Sequence, residues 1–223
     1  IVSENRLSPK PKNLNFKEAI LFGCAIPTGF GLVLNEAKPK KNSIISVLGL
    51  GGIGISALIA CKCLNPKKLI AIDINNKKLS YVKKFGVEIL LNPQDKDFKY
   101  KYLKATEGKG SDYIFESAGK SKTIEIAFNL INDSGSVYFA SHPNFSDKIR
   151  LDPFDLIKGK KIFGSWGGAY NPSTDLKKFL KIIKKNNINL NTLIPKTYKL
   201  NKINTAIKDL KKGKIIRAVL DLR

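Results

Sequence analysis

Three glycines have the types and spacing of a phosphate-binding turn. Gly49, Gly51 and Gly54 form a G-x-G-x-x-G pattern between an apolar strand-like run and an apolar helix-like run. In this pattern the first glycine lets the chain turn sharply, the second lets the backbone approach a pyrophosphate, and the third lets the helix pack close to the strand. The helix would then offer unpaired N–H groups and a partial positive charge to that pyrophosphate.

An acidic residue follows the glycines at the spacing that ribose binding needs. Asp73 closes the next apolar run, 68–72. A carboxylate about 20 positions after the glycine pattern can bind a ribose 2′-hydroxyl. Ile74 stands where an arginine could have bound a 2′-phosphate, and the Asp73 carboxylate would repel such a phosphate. The two stretches together predict a dinucleotide site that prefers NAD to NADP.

Strand-like and helix-like stretches alternate six times around these residues. After a first strand that ends at Gly49, the predicted strands are 68–72, 89–91, 112–115, 136–140 and 161–165. The predicted helices are 16–24 and 28–37, which Pro27 separates, and then the one that Gly54 begins, 75–85, 98–106, 123–131 and 153–158. This alternation predicts an α/β fold, a doubly wound six-stranded parallel sheet of the Rossmann type.

The sequence beyond Trp166 exceeds what a six-stranded nucleotide domain needs. Its predicted elements are helices at 175–185 and 203–212 and strands at 197–200 and 215–222. These elements predict part of a second domain.

The carboxyl ends of the six strands define where a ligand should bind. In doubly wound sheets the ligand lies outside these ends, where the strand order reverses. The residues expected there are Gly49, Leu50, Gly51, Gly52, Ile53, Gly54, Asp73, Glu116, Ser117, Ala118, Gly119, Ala140, Ser141 and His142.

Charge and composition narrow the class of protein. The formal net charge is +22, but only four of the 40 basic residues are arginine, and the lysines are scattered along the chain. This spread predicts a solvated lysine surface without specific nucleic-acid binding, although a nucleotide-sensing or nucleic-acid-binding module remains an alternative. No apolar stretch approaches the ~18 residues of a membrane-spanning helix, so no membrane partner is expected.

The cysteine and methionine content adds two expectations. The three cysteines, an odd number without C-x-x-C spacing, disfavour a disulfide framework and favour the cytoplasm. Cys61 and Cys63, on the helix after the glycine turn, are interpreted as core residues. Because the sequence has no methionine, we interpret its N-terminus as cut.

The order of six short motifs resembles the zinc-dependent, medium-chain alcohol dehydrogenase family. The motifs lie at 22–31, 49–54, 72–75, 92–95, 115–119 and 213–218. They span nearly the whole chain and are far more specific together than the glycine pattern alone.

The resemblance assigns roles near the reacting groups. It implies that Cys24 is the third protein ligand of the catalytic zinc. Thr28, the candidate catalytic residue, would pack against the nicotinamide ring of NAD, with Ile53 on the other face. Backbone groups of Ala140, His142 and the Trp166–Gly167 pair would bind the nicotinamide carboxamide.

The resemblance also assigns roles on the adenosine and phosphate side. It implies that Asp73 and Lys78 hold the adenosine ribose and that Arg217 contacts the pyrophosphate. The cofactors implied are therefore NAD and zinc.

This sequence departs from the family pattern because it lacks most of the zinc ligands and the proton relay. The family's other zinc ligands and proton relay come mainly from an N-terminal domain, and this sequence has a single histidine, His142. The resemblance then implies a Rossmann domain at 25–166 with flanking remnants of a GroES-like catalytic domain at 1–24 and 167–223.

The functional hypothesis follows from that division. We expect the cofactor-binding portion of a zinc-dependent oxidoreductase that transfers hydride between an alcohol or polyol and NAD, inactive when isolated. A zinc-free medium-chain reductase is the alternative. By resemblance, the protein is expected to form a homodimer or homotetramer through the segment 149–163.

Overall fold

Two parallel sheets and their flanking helices form the structure, a computed structural model that describes residues 3–4, 7–194 and 196–222. The strands are β1 (Ile44–Leu48), β2 (Lys68–Ile72), β3 (Ile89–Leu91), β4 (Ser111–Glu116), β5 (Ile131–Phe139), β6 (Lys161–Gly164), β7 (Lys196–Lys199) and β8 (Ala218–Asp221). The α-helices are α1 (Phe16–Ala19), α2 (Ala25–Gly31), α3 (Gly52–Lys62), α4 (Asn76–Val82), α5 (Phe98–Ala105), α6 (Ser121–Leu130), α7 (Pro153–Lys158), α8 (Pro172–Lys185) and α9 (Ile203–Lys211).

The larger sheet has six strands in the order β3-β2-β1-β4-β5-β6. Every neighbouring pair is parallel. The chain winds outward from β1 to one edge and from β4 to the other, so the strand order reverses between β1 and β4. The predicted doubly wound α/β fold is confirmed, and the reversal point is where such sheets bind ligands.

Strand β1 is apolar except for Ser46 because both of its faces are covered. Ile45 and Val47 belong to one buried cluster with α2, α3 and α8. Ile44 and Leu48 belong to a second cluster with α5 and α6 on the opposite face. A strand buried on two sides reads as a continuous apolar run, and this accounts for the pattern that precedes Gly49.

Helix α2 corrects one sequence-based expectation. Pro27 does not interrupt the helical segment, since it is the third residue of α2. The interruption lies at Cys24, whose backbone has φ −156° and ψ −63°. Proline is tolerated in the first turn of a helix because the N–H that it lacks would have no intrahelical partner there.

The remaining elements match the predicted ones apart from their ends. Ile131 begins β5 and does not end a helix. The last strand covers Ala218–Asp221, shorter than the predicted 215–222. It pairs in parallel with β7 as a separate two-stranded sheet.

No single helix within the described ranges is long and apolar enough to cross a membrane. One bent pair, Phe16–Gly23 and Ala25–Ala37, meets that criterion by length and composition alone.

Candidate dinucleotide-binding site

The glycine turn after β1 is locked against the loop that follows β4. The backbone of Gly49 has φ +90°, and a Cβ on Gly54 would lie 1.8 Å from the carbonyl oxygen of Gly49. The Ser117 hydroxyl donates a hydrogen bond of 2.6 Å to that same oxygen. A Cβ on Gly51, in contrast, would meet no atom of the described residues within 4 Å. The turn is therefore closed toward the sheet and open in front of Gly51, as a cradle for a phosphate requires.

The Asp73 carboxylate joins the glycine turn to the loop after β2. Its side chain is buried, with 8% of the residue exposed. Its Oδ2 accepts from the backbone N–H of Leu50 at 2.7 Å, and its Oδ1 accepts from that of Asn75 at 2.8 Å. Lys78 Nζ lies 3.9 Å from Oδ2. The structure thus brings together Asp73 and Lys78, the residues predicted to bind the adenosine ribose.

Asn92 supports this loop and was not among the predicted site residues. It is 7% exposed, and its Nδ2 donates to the carbonyl oxygen of Ile74 at 3.1 Å and to Asn76 Oδ1 at 2.9 Å. Its own Oδ1 accepts from the backbone N–H of Gln94 at 3.0 Å. The motif at 92–95 was the only signal for Asn92 in the sequence, and that signal named no role.

An open cleft of about 540 Å³ collects four predicted residues from distant parts of the sequence. Cys24, Gly52, Ile53 and Arg217 line it, together with apolar side chains of α9 and β8. The Cys24 thiol is exposed. The cleft therefore joins the predicted zinc ligand, the start of α3 and the predicted pyrophosphate contact.

The guanidinium of Arg217 lies against the first residue of α3. A Cβ on Gly52 would be 3.0 Å from Arg217 Nε and 3.3 Å from its Cζ. Burial lowers the pKa of Arg217, and the nearby Cys24 acts in the opposite direction. No ion pair between described residues involves Arg217. Because a helix N-terminus already carries partial positive charge, a half-buried cation beside it is stabilised best when an anion lies between them.

Helix α2 and the loop after β6 form the other end of the site. Thr28 is buried, with 7% of the residue exposed, and α2 packs so closely on α3 that a Cβ on Gly29 would lie 2.6 Å from the carbonyl oxygen of Ile53. A Cβ on Gly31 would lie 2.1 Å from the carbonyl oxygen of Gly168. These contacts place the Thr28 helix between α3 and the loop that carries Trp166 and Gly167.

Polar contacts fix that loop to the π-helix Leu32–Ala37, which continues α2. The Ser165 hydroxyl donates to Glu36 Oε1 at 2.9 Å and accepts from the backbone N–H of Gly168 at 3.0 Å. Burial raises the pKa of Glu36, and the Ser165 hydrogen bond lowers it.

Two exposed aromatic rings stand at the end of the loop. Trp166 is 85% exposed, and its ring meets that of His142 edge to face, with centroids 5.0 Å apart. Ala140 is buried at the carboxyl end of β5, and its N–H donates to the carbonyl oxygen of Glu116 at 3.4 Å. The predicted carboxamide contacts therefore lie on neighbouring loops.

Glu116 ends β4 at the reversal point and is fully buried. Its Oε1 accepts from the backbone N–H groups of Ala118 at 2.8 Å and Gly119 at 3.2 Å. The Thr123 hydroxyl lies 2.7 Å from the same oxygen, and the Ser141 hydroxyl donates to Oε2 at 2.5 Å. The sequence placed Glu116 at this edge and gave no reason to expect so complete a set of donors.

The described residues do not make a complete zinc site. Among them, no group of three or more histidine, cysteine, aspartate or glutamate side chains could hold a metal ion. Cys24 supplies one thiol to the cleft, whereas catalytic zinc takes three protein ligands.

Comparisons with known proteins bear on the family. The family model described as "Zinc-binding dehydrogenase" matches residues 52–185. Alcohol dehydrogenase class-2 isozyme 2 of Oryctolagus cuniculus is 34% identical over 224 residues, which is 99% of this chain and 58% of that protein. Alcohol dehydrogenase 2 of Zea mays is 30% identical over 203 residues, 90% of this chain and 53% of that protein. The chain thus spans about half the length of these relatives.

Solved structures agree on the fold. Benzyl alcohol dehydrogenase from Acinetobacter calcoaceticus superposes with a TM-score of 0.89 at 24% identity, over 96% of this chain and 59% of that chain. An alcohol dehydrogenase zinc-binding domain protein from Burkholderia ambifaria gives a TM-score of 0.88 at 25% identity, over 96% of this chain and 57% of that chain. The resemblance inferred from the six motifs is confirmed, and the chain belongs to the zinc-binding dehydrogenase family.

Proposed function

We propose that this chain is the NAD-binding part of an alcohol dehydrogenase-type oxidoreductase. The observation that carries the proposal is Arg217, a half-buried guanidinium without an ion pair among the described residues, beside the N-terminus of α3. A pyrophosphate between the guanidinium and the first N–H groups of α3 would neutralise both positive groups.

The chain's own residues then have distinct tasks. The open face of Gly51 admits the phosphates, and Asp73 accepts hydrogen bonds from the adenosine ribose while Lys78 balances its charge. When bound, NAD supplies the hydride acceptor for oxidation of the substrate carbon. Thr28 and Ile53 would pack against the two faces of the nicotinamide ring. Their helices, α2 and α3, lie in direct contact, which supports this pairing.

The carboxamide of the nicotinamide would be bound from the sheet side. We assign it to backbone groups of Ala140, His142, Trp166 and Gly167, which the His142–Trp166 ring contact holds next to each other. The loop is rigid at this point because Ser165 bridges Glu36 and Gly168.

The substrate class that we propose is an alcohol or polyol. The two curated relatives named above are alcohol dehydrogenases, which supports an alcohol over other hydride donors. We further propose that Cys24 contributes one ligand to a zinc ion in the complete enzyme, since its thiol is exposed in the same cleft as Arg217. A zinc-free reductase is the alternative. Elemental analysis of the complete protein separates the two: in the zinc enzyme Cys24→Ala loses the bound metal, whereas in the alternative the metal content is already nil.

The two-stranded sheet supports the proposed division into domains at 1–24, 25–166 and 167–223. Sheets of two strands are marginal by themselves, and parallel sheets are ordinarily covered on both faces. Next to β7 and β8, Phe16 and Leu222 are 79% and 75% exposed. We interpret β7 and β8 as part of a larger catalytic domain of the GroES-like type.

The edge of the large sheet supports self-association as a homodimer or homotetramer. Strand β6 has a free edge in the described part of the chain, and Phe154, Ile157 and Phe163 beside it are 59%, 78% and 42% exposed. An uncovered edge with apolar neighbours pairs readily with another strand. Light scattering should give at least twice the chain mass, and Ile157→Lys should lower that mass if 149–163 forms the contact.

The decisive experiment is a calorimetric titration of this chain with NADH and, separately, with NADPH. We expect NADH to bind more tightly than NADPH, and Arg217→Ala to weaken NADH binding about tenfold through loss of a charge-assisted contact. Arg150→Ala is the matched control, because it removes an exposed guanidinium on another loop. The proposed function fails if NADH does not bind the wild-type chain or if the two arginine variants bind it equally.

A further inference from the structure

Glu116 ends β4, next to the point where the strand order of the large sheet reverses. It pairs in register with Leu48 of β1 on one side and with Phe139 of β5 on the other. None of its surface is exposed, and no ion pair among the described residues compensates its charge. A carboxylate buried without a cation is costly unless hydrogen bonds satisfy it fully.

The donors of Glu116 come from two loops that face different parts of the site. Oε1 accepts from the backbone N–H groups of Ala118 and Gly119, in the loop after β4. This loop contacts Gly49, since a Cβ on Gly49 would lie 2.6 Å from the Ala118 nitrogen. Oε2 takes the Ser141 hydroxyl, which belongs to the loop after β5. The two loops also touch, since a Cβ on Gly119 would lie 3.5 Å from Ser141 Cβ.

The Ser141 bond acts on one half of the site only. Ser141 stands between Ala140 and His142, to which the proposed function gives the nicotinamide carboxamide. The fourth donor, Thr123, lies on α6 away from that loop, and its hydroxyl also lies 2.8 Å from the carbonyl oxygen of Lys120. Loss of the Thr123 bond would leave both loops attached to the carboxylate.

We propose that Glu116 is a positioning residue that sets the nicotinamide-binding loop relative to the phosphate-binding turn, through its hydrogen bond to Ser141. This inference rests on the proposed function and extends it by naming the group that aligns the two halves of the site. Glu116 itself is not available to the cofactor, because none of its surface is exposed and its Oε1 already accepts from Ala118, Gly119 and Thr123.

The experiment compares two ligands on the same chain, NADH and ADP-ribose, which lacks the nicotinamide. Ser141→Ala should weaken NADH binding about tenfold, by loss of one charge-assisted bond, and change ADP-ribose binding less than about twofold. Thr123→Val is the matched control: it also removes a hydroxyl donor from Glu116, and the ratio of the two affinities should stay at the wild-type value.

A conservative variant gives an independent check. In Glu116→Gln the amide oxygen can still accept from Ala118 and Gly119, while the amide NH₂ can donate to the Ser141 oxygen. In Glu116→Gln we expect the ratio of the affinity for NADH to that for ADP-ribose to stay near the wild-type value. In Glu116→Ala we expect this ratio to fall as it does in Ser141→Ala. If Glu116→Ala does not fold, the Ser141 and Thr123 variants still decide.

The outcomes are distinguishable. Equal losses for NADH and ADP-ribose in Ser141→Ala, or no loss for either, would overturn the positioning role while leaving the proposed function standing. Failure of the wild-type chain to bind NADH would contradict the proposed function, and the positioning role would fall with it.

Discussion

Two carboxylates flank the central strand β1 at the same edge of the sheet, yet their surroundings differ. Asp73 follows β2 and Glu116 ends β4, the strands that pair with β1 on either side. Asp73 accepts two backbone N–H bonds and has Lys78 nearby. Glu116 accepts four hydrogen bonds and is wholly enclosed.

The difference lies in how many acceptor sites each carboxylate has left and in whether a ligand could reach them. A carboxylate has about four lone-pair sites. Asp73 has about two of these sites left, whereas the site that remains on Glu116 Oε2 is enclosed by the protein. We therefore propose that the same chemical group at the same edge of the sheet binds a ligand on one side of β1 and positions loops on the other.

The largest effect should come from Glu116→Ala and should appear in stability. Removal of the carboxylate leaves two backbone N–H groups and the Ser141 hydroxyl without their acceptor, which should lower the free energy of unfolding by about 3 kcal/mol or more. Urea unfolding measures this loss. If Glu116→Ala lowers the free energy of unfolding no more than Asp73→Ala does, the proposed difference between the two carboxylates is wrong.

Asp73→Ala should act chiefly on binding. Loss of the hydrogen bonds to a charged acceptor should weaken NADH about 10- to 100-fold, with a smaller fall in unfolding free energy than in Glu116→Ala. Titration of NADH checks the first effect and urea unfolding the second. The control is Asp147→Ala, which truncates an exposed aspartate whose side chain accepts a hydrogen bond only from Asn144 among the described residues. If the two variants bind NADH alike, Asp73 is not the ribose ligand.

The smallest effect concerns Glu36, a third carboxylate of intermediate burial. Burial raises its pKa above 4.5, so the stabilising protonated form is lost as the pH rises through that raised value. Glu36→Gln keeps an acceptor for Ser165 and removes the titration. The stability of the variant relative to the wild type should therefore increase between pH 4.5 and 7, by less than about 1 kcal/mol since the group is partly exposed. Thermal melts across this range would contradict the assignment if the difference stayed constant.

Local sequence patterns were sufficient for the doubly wound fold and for the position of Asp73 beside the glycine turn. The glycine spacing and the apolar run before Asp73 depend on contacts within one strand–turn–helix unit, so they can be recognised along the chain. The sequence pattern predicts a helix break at Pro27, whereas the break lies at Cys24, because the first turn of a helix tolerates proline.

Other parts of the site depend on contacts between distant segments. Glu116 meets Ser141 across 25 residues, and Ser165 meets Glu36 across 129. Nothing in the composition around either residue encodes such a partner. The sequence could therefore locate the edge of the sheet where these residues lie, and it could not assign them their hydrogen bonds.

The break at Cys24 has a practical consequence for labelling. Thiol reagents react with the thiolate, and burial raises the pKa of Cys61 well above its ordinary value and that of Cys63 to about 11. Cys24 is the exposed thiol of the three and lies in the cleft with Arg217. A maleimide fluorophore should therefore attach at this one position without any engineered cysteine, and its emission would report directly when the cleft fills.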